Sequence, residues 1–207
     1  MTNRPDLETD LAAFYDQEAA SRLGRTGGER RHAAREAFIN RLHSEARTTL
    51  LEIGTGAGHD AFAFQQAGLT VAGIDLSEEH VRICRDRGID ARQASLFDIP
   101  FEDRAFQAGW TMSTLLHVPN DRIQAALDEV TRVLEPGAPL AIGVWGGHDG
   151  EEIRDDDRFE PKRFFSSRSD DRWRAILERH GAIDHFEVWT PRHPDDWTYQ
   201  FAILRTP

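Results

Sequence analysis

The spacing of apolar residues changes repeatedly along the chain, and each change marks a predicted element. Two amphipathic helices come first, over 6–21 and 29–45, and the glycine-rich segment Gly24–Gly28 separates them. Short apolar runs and amphipathic segments then alternate as far as Trp145. This alternation predicts βαβ units and a doubly wound, mostly parallel sheet with helices on both faces. The predicted strands are Thr48–Ile53, Thr70–Asp75, Asp90–Ala94, Phe106–Met112 and Ala138–Trp145; the predicted helices are Gly58–Ala67, one from the N-cap Ser77 to Arg87, and one from the N-cap Asp121 to Leu134.

The C-terminal part of the chain has a different pattern. A helix is predicted over 170–180, followed by two strands, Ile183–Thr190 and Trp197–Leu204, joined by a short loop that contains Pro191 and Pro194. Two strands this close together predict a hairpin, and therefore an antiparallel edge on the parallel sheet. Residues 146–169 contain few apolar residues and two charge clusters. That segment is predicted to be either a disordered surface loop or a lid over a site.

Composition narrows the class of protein. The 207 residues are 39% apolar and 29% charged, as in a soluble globular domain, and no run approaches the ~20 apolar residues of a spanning helix. Cys84 is the only cysteine, which excludes a disulfide scaffold, and Met1–Asp10 lacks the apolar segment of a secretory signal. We therefore expect a cytoplasmic protein that does not bind membranes. The net charge of −11, without a basic cluster, disfavours nucleic acid as a partner.

The segment from Leu50 to Asp60 is the most informative part of the sequence. An apolar strand leads directly into Gly54-Thr55-Gly56-Ala57-Gly58, and a helix follows. Glycine permits a tight turn and close approach of a ligand, and the helix N-terminus offers free N–H groups. Asp75 ends the next predicted strand, 21 residues after Gly54, near the spacing at which an acid meets ribose hydroxyls. The segment therefore predicts a nucleotide-type site.

Two residues separate this loop from a dinucleotide-binding loop. G-x-G-x-x-G requires glycine where His59 stands, and the acid Glu52 precedes the loop, which suits a ligand with an ammonium group. Glu52-x-Gly-x-Gly-x-Gly resembles motif I of the class I S-adenosylmethionine-dependent methyltransferases. The resemblance extends over most of the chain, roughly from Tyr15 to Leu204. It includes Ile74-Asp75-Leu76-Ser77, Gln93–Phe101, Phe106–Trp110, Leu115-Leu116-His117-Val118-Pro119 and Arg132–Gly137.

The resemblance implies S-adenosylmethionine as cofactor and a seven-stranded sheet whose last strand is inserted antiparallel. It implies one domain over 1–207, with helices over 1–47 capping the site and a loop or lid over 146–170 near an acceptor pocket. Asp75 would hold the ribose hydroxyls and Leu76 would contact adenine; Ser95 and Gln107 stand where the family often has Asp. The implied cofactor-binding residues are Tyr15, Glu52, Gly54, Thr55, Gly56, Gly58, Asp75, Leu76, Ser95, Leu96, Thr111 and Met112.

Methyl transfer from a sulfonium is an in-line displacement, for which the protein mainly supplies alignment and a dry site. No metal is expected, because the nine His are scattered without ligand spacing. A base is useful when the acceptor arrives protonated, and His117, after the fourth strand, is the first candidate, followed by His148. Arg163–Ser166 either lines an acceptor pocket or anchors its loop.

The leading function is methyl transfer from S-adenosylmethionine to an O or N atom of a small-molecule acceptor. One alternative is a methyltransferase of RNA or protein. Two others are a non-catalytic S-adenosylmethionine-binding module and a nicotinamide-dependent oxidoreductase. The acceptor and the oligomeric state are left open, because acceptor pockets are built from variable loops.

Overall fold

The computed structural model describes residues 6–24, 27–190 and 198–207, and its strands form two sheets. The larger sheet has seven strands in the order β3-β2-β1-β4-β5-β9-β8, and the smaller one pairs β6 with β7. In these ranges, none of the helices has the length and apolar character needed to cross a bilayer. The elements are α1 Leu7–Arg22, α2 Glu29–Ser44, β1 Thr49–Ile53, α3 His59–Gln66, β2 Thr70–Asp75, α4 Glu78–Asp86, β3 Asp90–Gln93, β4 Gly109–Met112, a 3₁₀ turn Leu115–His117, α5 Ile123–Arg132, β5 Pro139–Gly146, β6 Gly150–Ile153, β7 Phe164–Ser167, α6 Asp170–Leu177, β8 Ala182–Trp189 and β9 Thr198–Arg205.

The large sheet confirms the fold class predicted from the sequence. Strands β1 to β5 pair in parallel, whereas β9 lies antiparallel between β5 and β8. The strand order reverses between β1 and β4, and ligands of open α/β sheets bind in the crevice outside the carboxyl ends at such a point. The fold therefore places a binding crevice at the ends of β1, β2 and β4.

The sheet separates two hydrophobic layers. Neighbouring β1 residues point to opposite faces, so that Leu50 belongs to one cluster and Leu51 to the other. On the Leu50 face, the fully buried Trp110 of β4 contacts the rings of Phe38 and Phe64 at 5.4 and 5.2 Å between centroids. Helices α2 and α3 are thereby packed against the centre of the sheet, beside the glycine loop.

Several predicted element ends are wrong: α6 ends at Leu177 and not at residue 180, and α5 ends at Arg132 and not at Leu134. Strand β4 begins at Gly109 and not at Phe106, which forms only an isolated parallel bridge with Leu134. Asp121 is not the N-cap of α5, since the helix begins at Ile123 with Arg122 at the cap. The N–H of Arg122 is engaged by the carbonyl of Pro119 at 3.0 Å, and this turn delays the start of the helix. In contrast, Ser77 caps α4 as predicted, because its side chain accepts a hydrogen bond from the N–H of His80.

The segment 146–169 is not a disordered surface loop. Strands β6 and β7 pair antiparallel from Gly150 opposite Ser167 to Ile153 opposite Phe164. Strand β7 faces inward, since Phe165, Ser166 and Ser167 are buried. The predicted loop containing Pro191 and Pro194, together with Trp197, lies outside the described residues, as do Arg25 and Thr26 of the glycine-rich segment.

Candidate functional site

A cavity of about 450 Å³ opens at the carboxyl ends of β1, β2 and β4. Its floor comes from the loop between β1 and α3, and one wall comes from the segment that follows β3. Helix α1 contributes Leu7, Glu8, Leu11 and Tyr15 to the lining, and β7 contributes Phe165. The cavity therefore lies in the crevice that the strand order creates, beneath the N-terminal helix.

Two glycines of the loop have different roles. Gly56 has a φ of +52°, and a Cβ placed on it would meet no described heavy atom within 4 Å, because it borders the open cavity. A Cβ on Gly58 would lie 2.9 Å from Cys84 Sγ and 2.7 Å from Ile89 Cδ1. Gly56 thus leaves room for a ligand, whereas Gly58 leaves room for the packing of Cys84 in α4 and of Ile89, the residue before β3.

Asp75 is fixed at the end of β2 by two backbone donors. The N–H of Gly56 donates to its Oδ2 at 2.8 Å, and the N–H of Ser77 donates to its Oδ1 at 2.9 Å. The half-buried carboxylate lines the cavity and can accept further hydrogen bonds at both oxygens. The acid is therefore positioned in advance for a ligand that carries hydroxyl groups.

Glu52 lies behind the glycine loop, and only 2% of it is exposed. Its Oε2 has no hydrogen-bond partner within the described part of the chain. Burial raises the pKa of Glu52 well above its usual value, the nearby Asp60 raises it further, and Arg31 opposes both. A cation next to Glu52 would supply the missing partner and favour the carboxylate.

Asp60, at the start of α3, is the centre of a buried ionic cluster. It accepts hydrogen bonds from Nε and Nη2 of Arg31 at 2.9 and 2.6 Å, from Arg35 Nη1 at 2.8 Å and from Trp110 Nε1 at 2.8 Å. Burial alone would raise the pKa of Asp60, but Arg31, Arg35 and the indole outweigh it and hold the pKa below its usual range. Arg31 also lines the cavity, so this cluster places a guanidinium near Glu52.

Hydrogen bonds on both sides of the cavity hold helix α1 in position across it. Asp16 Oδ1 accepts hydrogen bonds from the hydroxyl of Ser77 at 2.6 Å and from the N–H of Glu79 at 3.1 Å. On the other side, Gln17 Nε2 donates to the carbonyl of Glu160 at 2.7 Å. The helix therefore bridges the start of α4 and the loop between β6 and β7, and it covers the crevice between them.

His117 forms hydrogen bonds with two elements that cover the cavity, α1 and β7. Its Nδ1 lies 2.8 Å from the carbonyl of Phe164, so Nδ1 must carry the proton, and its Nε2 lies 2.8 Å from Tyr15 Oη. In the neutral ring Nε2 is then an acceptor, and the Tyr15 hydroxyl donates to it. Burial lowers the pKa of His117 to about 4, and burial also raises the pKa of Tyr15. At neutral pH the pair is therefore a neutral imidazole and a protonated phenol.

A second histidine borders the cavity without a polar partner. His80 of α4 is 2% exposed, and within the described residues neither ring nitrogen makes a hydrogen bond. Its Nδ1 lies 3.6 Å from Asp75 Oδ1, which is too long for a hydrogen bond. The imidazole can therefore reach a ligand bound at Asp75.

The structure brings most of the predicted site residues to this one cavity. The predicted residues that line it are Tyr15, Gly54, Thr55, Gly56, Asp75, Leu76, Leu96, Met112 and His117. Among the described residues, Glu52, Gly58, Ser95 and Thr111 lie behind the lining, and the exposed His148 is not part of it. Arg163 and Phe165 line the cavity, and their segment also anchors the β6–β7 loop, because Arg163 pairs with Asp157.

The polar lining residues that sequence reasoning missed include Glu8, Arg31, Asp60 and His80. Asp60 ends the informative segment that begins at Leu50, and His80 lies three residues after the N-cap Ser77; their burial is the signal that a single sequence cannot show. Glu8 and Arg31 lie on the two N-terminal helices, whose orientation over the sheet depends on tertiary contacts. In the described ranges, the structure contains no cluster of His, Cys, Asp or Glu that could hold a metal ion.

Comparisons with known proteins match this chain to methyltransferases. Residues 50–137 match a family model described as a methyltransferase domain. The methyltransferase GfsG of Streptomyces halstedii is 33% identical over 116 residues, which cover 52% of this chain and 41% of the relative. The 27-O-demethylrifamycin SV methyltransferase of Amycolatopsis mediterranei is 30% identical over 139 residues, which cover 63% of this chain and 48% of that protein. The chain thus spans about half the length of the curated relatives it matches.

A solved structure supports the fold over the whole chain. It is the 1,6-didemethyltoxoflavin-N1-methyltransferase of Burkholderia thailandensis, in complex with 1,6-didemethyltoxoflavin and S-adenosylhomocysteine. It superposes with a TM-score of 0.68 at 18% identity and covers 100% of this chain and 93% of its own. At 18% sequence identity, this structural similarity supports the fold and does not identify the substrate.

Proposed function

We propose that this chain, whose residues 50–137 match a methyltransferase-domain model, is a class I S-adenosylmethionine-dependent methyltransferase that transfers a methyl group to an O or N atom of a small-molecule acceptor. The observation that supports this most is the continuity of one cavity, which joins the Gly56–Asp75 region to the neutral His117. A donor held at the first and an acceptor held at the second would meet without crossing protein.

The residues present fit S-adenosylmethionine. Gly56 leaves open space beside Asp75, and the buried Glu52 Oε2 has no partner within the described ranges, as expected beside a ligand that brings an ammonium group. Asp75 would hold the ribose hydroxyls, Glu52 would attract the ammonium group and Arg31 would attract the carboxylate. When bound, the cofactor would supply an activated methyl group on a positively charged sulfur, which is a good leaving group.

His117 would remove the proton of a hydroxyl acceptor. The Phe164 carbonyl keeps Nε2 unprotonated, and a pKa of about 4 keeps the ring in its basic form at neutral pH. An oxygen that has gained a methyl group is a strong acid, so a weak base is sufficient once transfer begins. Because Tyr15 already donates to Nε2, the proton would pass from the acceptor to Tyr15 Oη as the Tyr15 proton moves to His117. His148 is not assigned this role, since it is exposed and outside the described cavity lining.

The acceptor side of the cavity favours a neutral aromatic compound. Trp145, which is 42% exposed, and Phe165 provide ring faces there. The cations at this end are already compensated, because Arg163 pairs with Asp157 and Arg22 pairs with Glu18 at 2.6 Å. An anionic acceptor would therefore have to compete with these carboxylates, whereas a phenol or heteroaromatic ring would not.

We also propose that 1–207 forms one methyltransferase domain in which residues 1–47 cap the cofactor and 146–170 form the acceptor-side cover. The contacts of Asp16 with Ser77 and of His117 with Phe164 support these roles. Movement of either cover would widen access to the cavity.

Transfer of a radiolabelled methyl group from S-adenosylmethionine to a panel of small phenols and N-heterocycles tests the proposal. We expect incorporation into at least one aromatic acceptor, with His117→Ala lowering the rate and His148→Ala leaving it unchanged. Transfer only to RNA or protein would refute the small-molecule assignment, and a slow His148→Ala variant beside a normal His117→Ala variant would reverse the choice of base.

A further inference from the structure

The cavity wall beyond Asp75 is mostly apolar, and its charged side chains include the acids of α1 and Arg122, whose guanidinium lies 3.7 Å from the centroid of the Phe97 ring. Leu76 follows Asp75, and the segment after β3 adds Ala94, Leu96 and Phe97 to the lining. A flat apolar ring bound next to Asp75 would be enclosed by these side chains. The polar edge of such a ring would need a partner, and two carboxylates of α1, Asp6 and Glu8, border this region.

Of these two acids, Asp6 already accepts hydrogen bonds within α1. It is the N-cap of α1, and its Oδ2 accepts a hydrogen bond from Thr9 Oγ1 at 2.6 Å. Glu8 is half-buried and is held by one hydrogen bond, from the hydroxyl of Ser95 to Oε1 at 2.6 Å. A carboxylate has lone pairs for about four hydrogen bonds, so Glu8 retains acceptor capacity towards the cavity.

Ser95 sets the direction of the Glu8 carboxylate. Its Oγ accepts a hydrogen bond from the N–H of Phe97 at 3.0 Å, and its proton is therefore directed to Glu8. Because Ser95 lies between the lining residues Ala94 and Leu96, this bond places the carboxylate at the edge of the apolar wall. Ser95 thus acts through Glu8, without itself lining the cavity.

We propose that the Glu8 carboxylate accepts a hydrogen bond from the exocyclic amine of the cofactor's adenine and so selects adenine over 6-oxopurines. This inference rests on the proposed function, since it presumes an adenosyl ligand. The amine at position 6 donates, whereas an oxo group at that position only accepts and would face the acceptor-only carboxylate. Because Glu8 belongs to α1, recognition of the purine also requires that the capping helix be docked.

The test compares S-adenosylhomocysteine with S-inosylhomocysteine by titration calorimetry. Wild type should bind the adenosyl compound at least about tenfold more tightly, and Glu8→Gln should reduce that ratio by about tenfold or more, because the amide can donate to the oxo group. Asp10→Asn is the matched control: Asp10 is the other acid in the first turn of α1 that lies outside the cavity lining, and its variant should keep the wild-type ratio. The ratio is informative because partial loss of α1 docking would weaken both ligands together.

A second variant tests the geometry. Ser95 Oγ lies 2.6 Å from the Glu8 carboxylate, so an aspartate at position 95 reaches nearly the same space. Glu8→Ala should lose the preference for adenosine, and Glu8→Ala combined with Ser95→Asp should recover most of it. An unchanged ratio in Glu8→Gln and Glu8→Ala would overturn the assignment of Glu8. Failure of the wild type to bind S-adenosylhomocysteine at all would instead refute the proposed function.

Discussion

Replacing Asp60 with alanine should destabilise the protein strongly, because this one carboxylate accepts four hydrogen bonds. Two come from Arg31, one from Arg35 and one from the indole of Trp110, and they connect α2, α3 and β4. The Asp60 side chain is only 2% exposed and that of Arg35 13%, whereas that of Arg31 is 30% exposed. The substitution would therefore leave one largely buried guanidinium and one buried indole N–H without their acceptor.

The expected loss in the free energy of unfolding follows from these exposures. Removing one partner of a buried ion pair costs about 3–5 kcal/mol, and the unpaired indole N–H adds about 1–3 kcal/mol. Arg31 can turn towards water, which offsets part of this, so we expect a net loss of about 3–5 kcal/mol. For a chain of 207 residues, at about 2–4 °C per kcal/mol, the thermal midpoint should fall by about 6–20 °C.

Calorimetric or fluorescence-detected unfolding of wild type and Asp60→Ala measures this difference. Asp86→Ala is the control, because Asp86 also pairs with an arginine, Arg82, but both side chains are more than half exposed. Its midpoint should stay near that of wild type. A loss below about 1 kcal/mol for Asp60→Ala would refute the claim that this cluster holds α2 and α3 to the sheet.

Acid should reduce the same difference. The folded-state pKa of Asp60 is lowered, so its contribution is present above the unfolded value of about 3.9 and is lost as the pH falls through the lower folded value. The gap between wild type and Asp60→Ala should therefore be constant from about pH 8 to 5 and should shrink below about pH 4. A gap that instead widened in acid would contradict the assignment of a lowered pKa.

Three further predictions concern the cavity and its surroundings. Gly56→Val should abolish S-adenosylhomocysteine binding in calorimetry and leave the circular dichroism spectrum nearly unchanged, whereas Gly58→Val should lower the thermal midpoint through its clash with Cys84. His117→Ala should reduce turnover by ~10²-fold with little change in cofactor affinity, and wild-type turnover should fall only as the pH approaches about 4, where His117 is protonated. Cys84 is buried and its pKa is raised to about 12, so it should react with a thiol reagent only after unfolding, and rapid labelling of the native protein would contradict this.

Local patterns were sufficient to predict the sheet. Strands β1 and β2 are apolar runs that each lead into a helix, β4 is followed by α5, and this repetition leaves few topologies open. The positions of Gly56 and Asp75 at the carboxyl ends of β1 and β2 follow from the same order. The start of β4 was harder to predict, because Phe106 and Ala108 are apolar and buried without lying in a regular strand.

The covering elements could not be predicted from one sequence. The periodicity of α1 indicates a helix but not which edge of the sheet it crosses, and that is decided by contacts such as Asp16 with Ser77. Strand β7 is short, and its burial depends on the hairpin with β6. Residues 146–169, which contain both strands, have few apolar residues, so the sequence alone predicts a loop or lid there. Ser95 shows the consequence for the site, because its hydroxyl is committed to Glu8 of α1, 87 positions away in the chain.

The central claim is that the cavity binds an adenosyl cofactor through the Gly56–Asp75 region, and titration calorimetry with S-adenosylhomocysteine tests it most directly. We predict a Kd of about 10 µM or tighter for wild type and a loss of about 1–3 kcal/mol for Asp75→Ala, whose two backbone contacts and ligand hydrogen bonds would be removed together. Tight binding of NAD with no binding of S-adenosylhomocysteine would contradict the account.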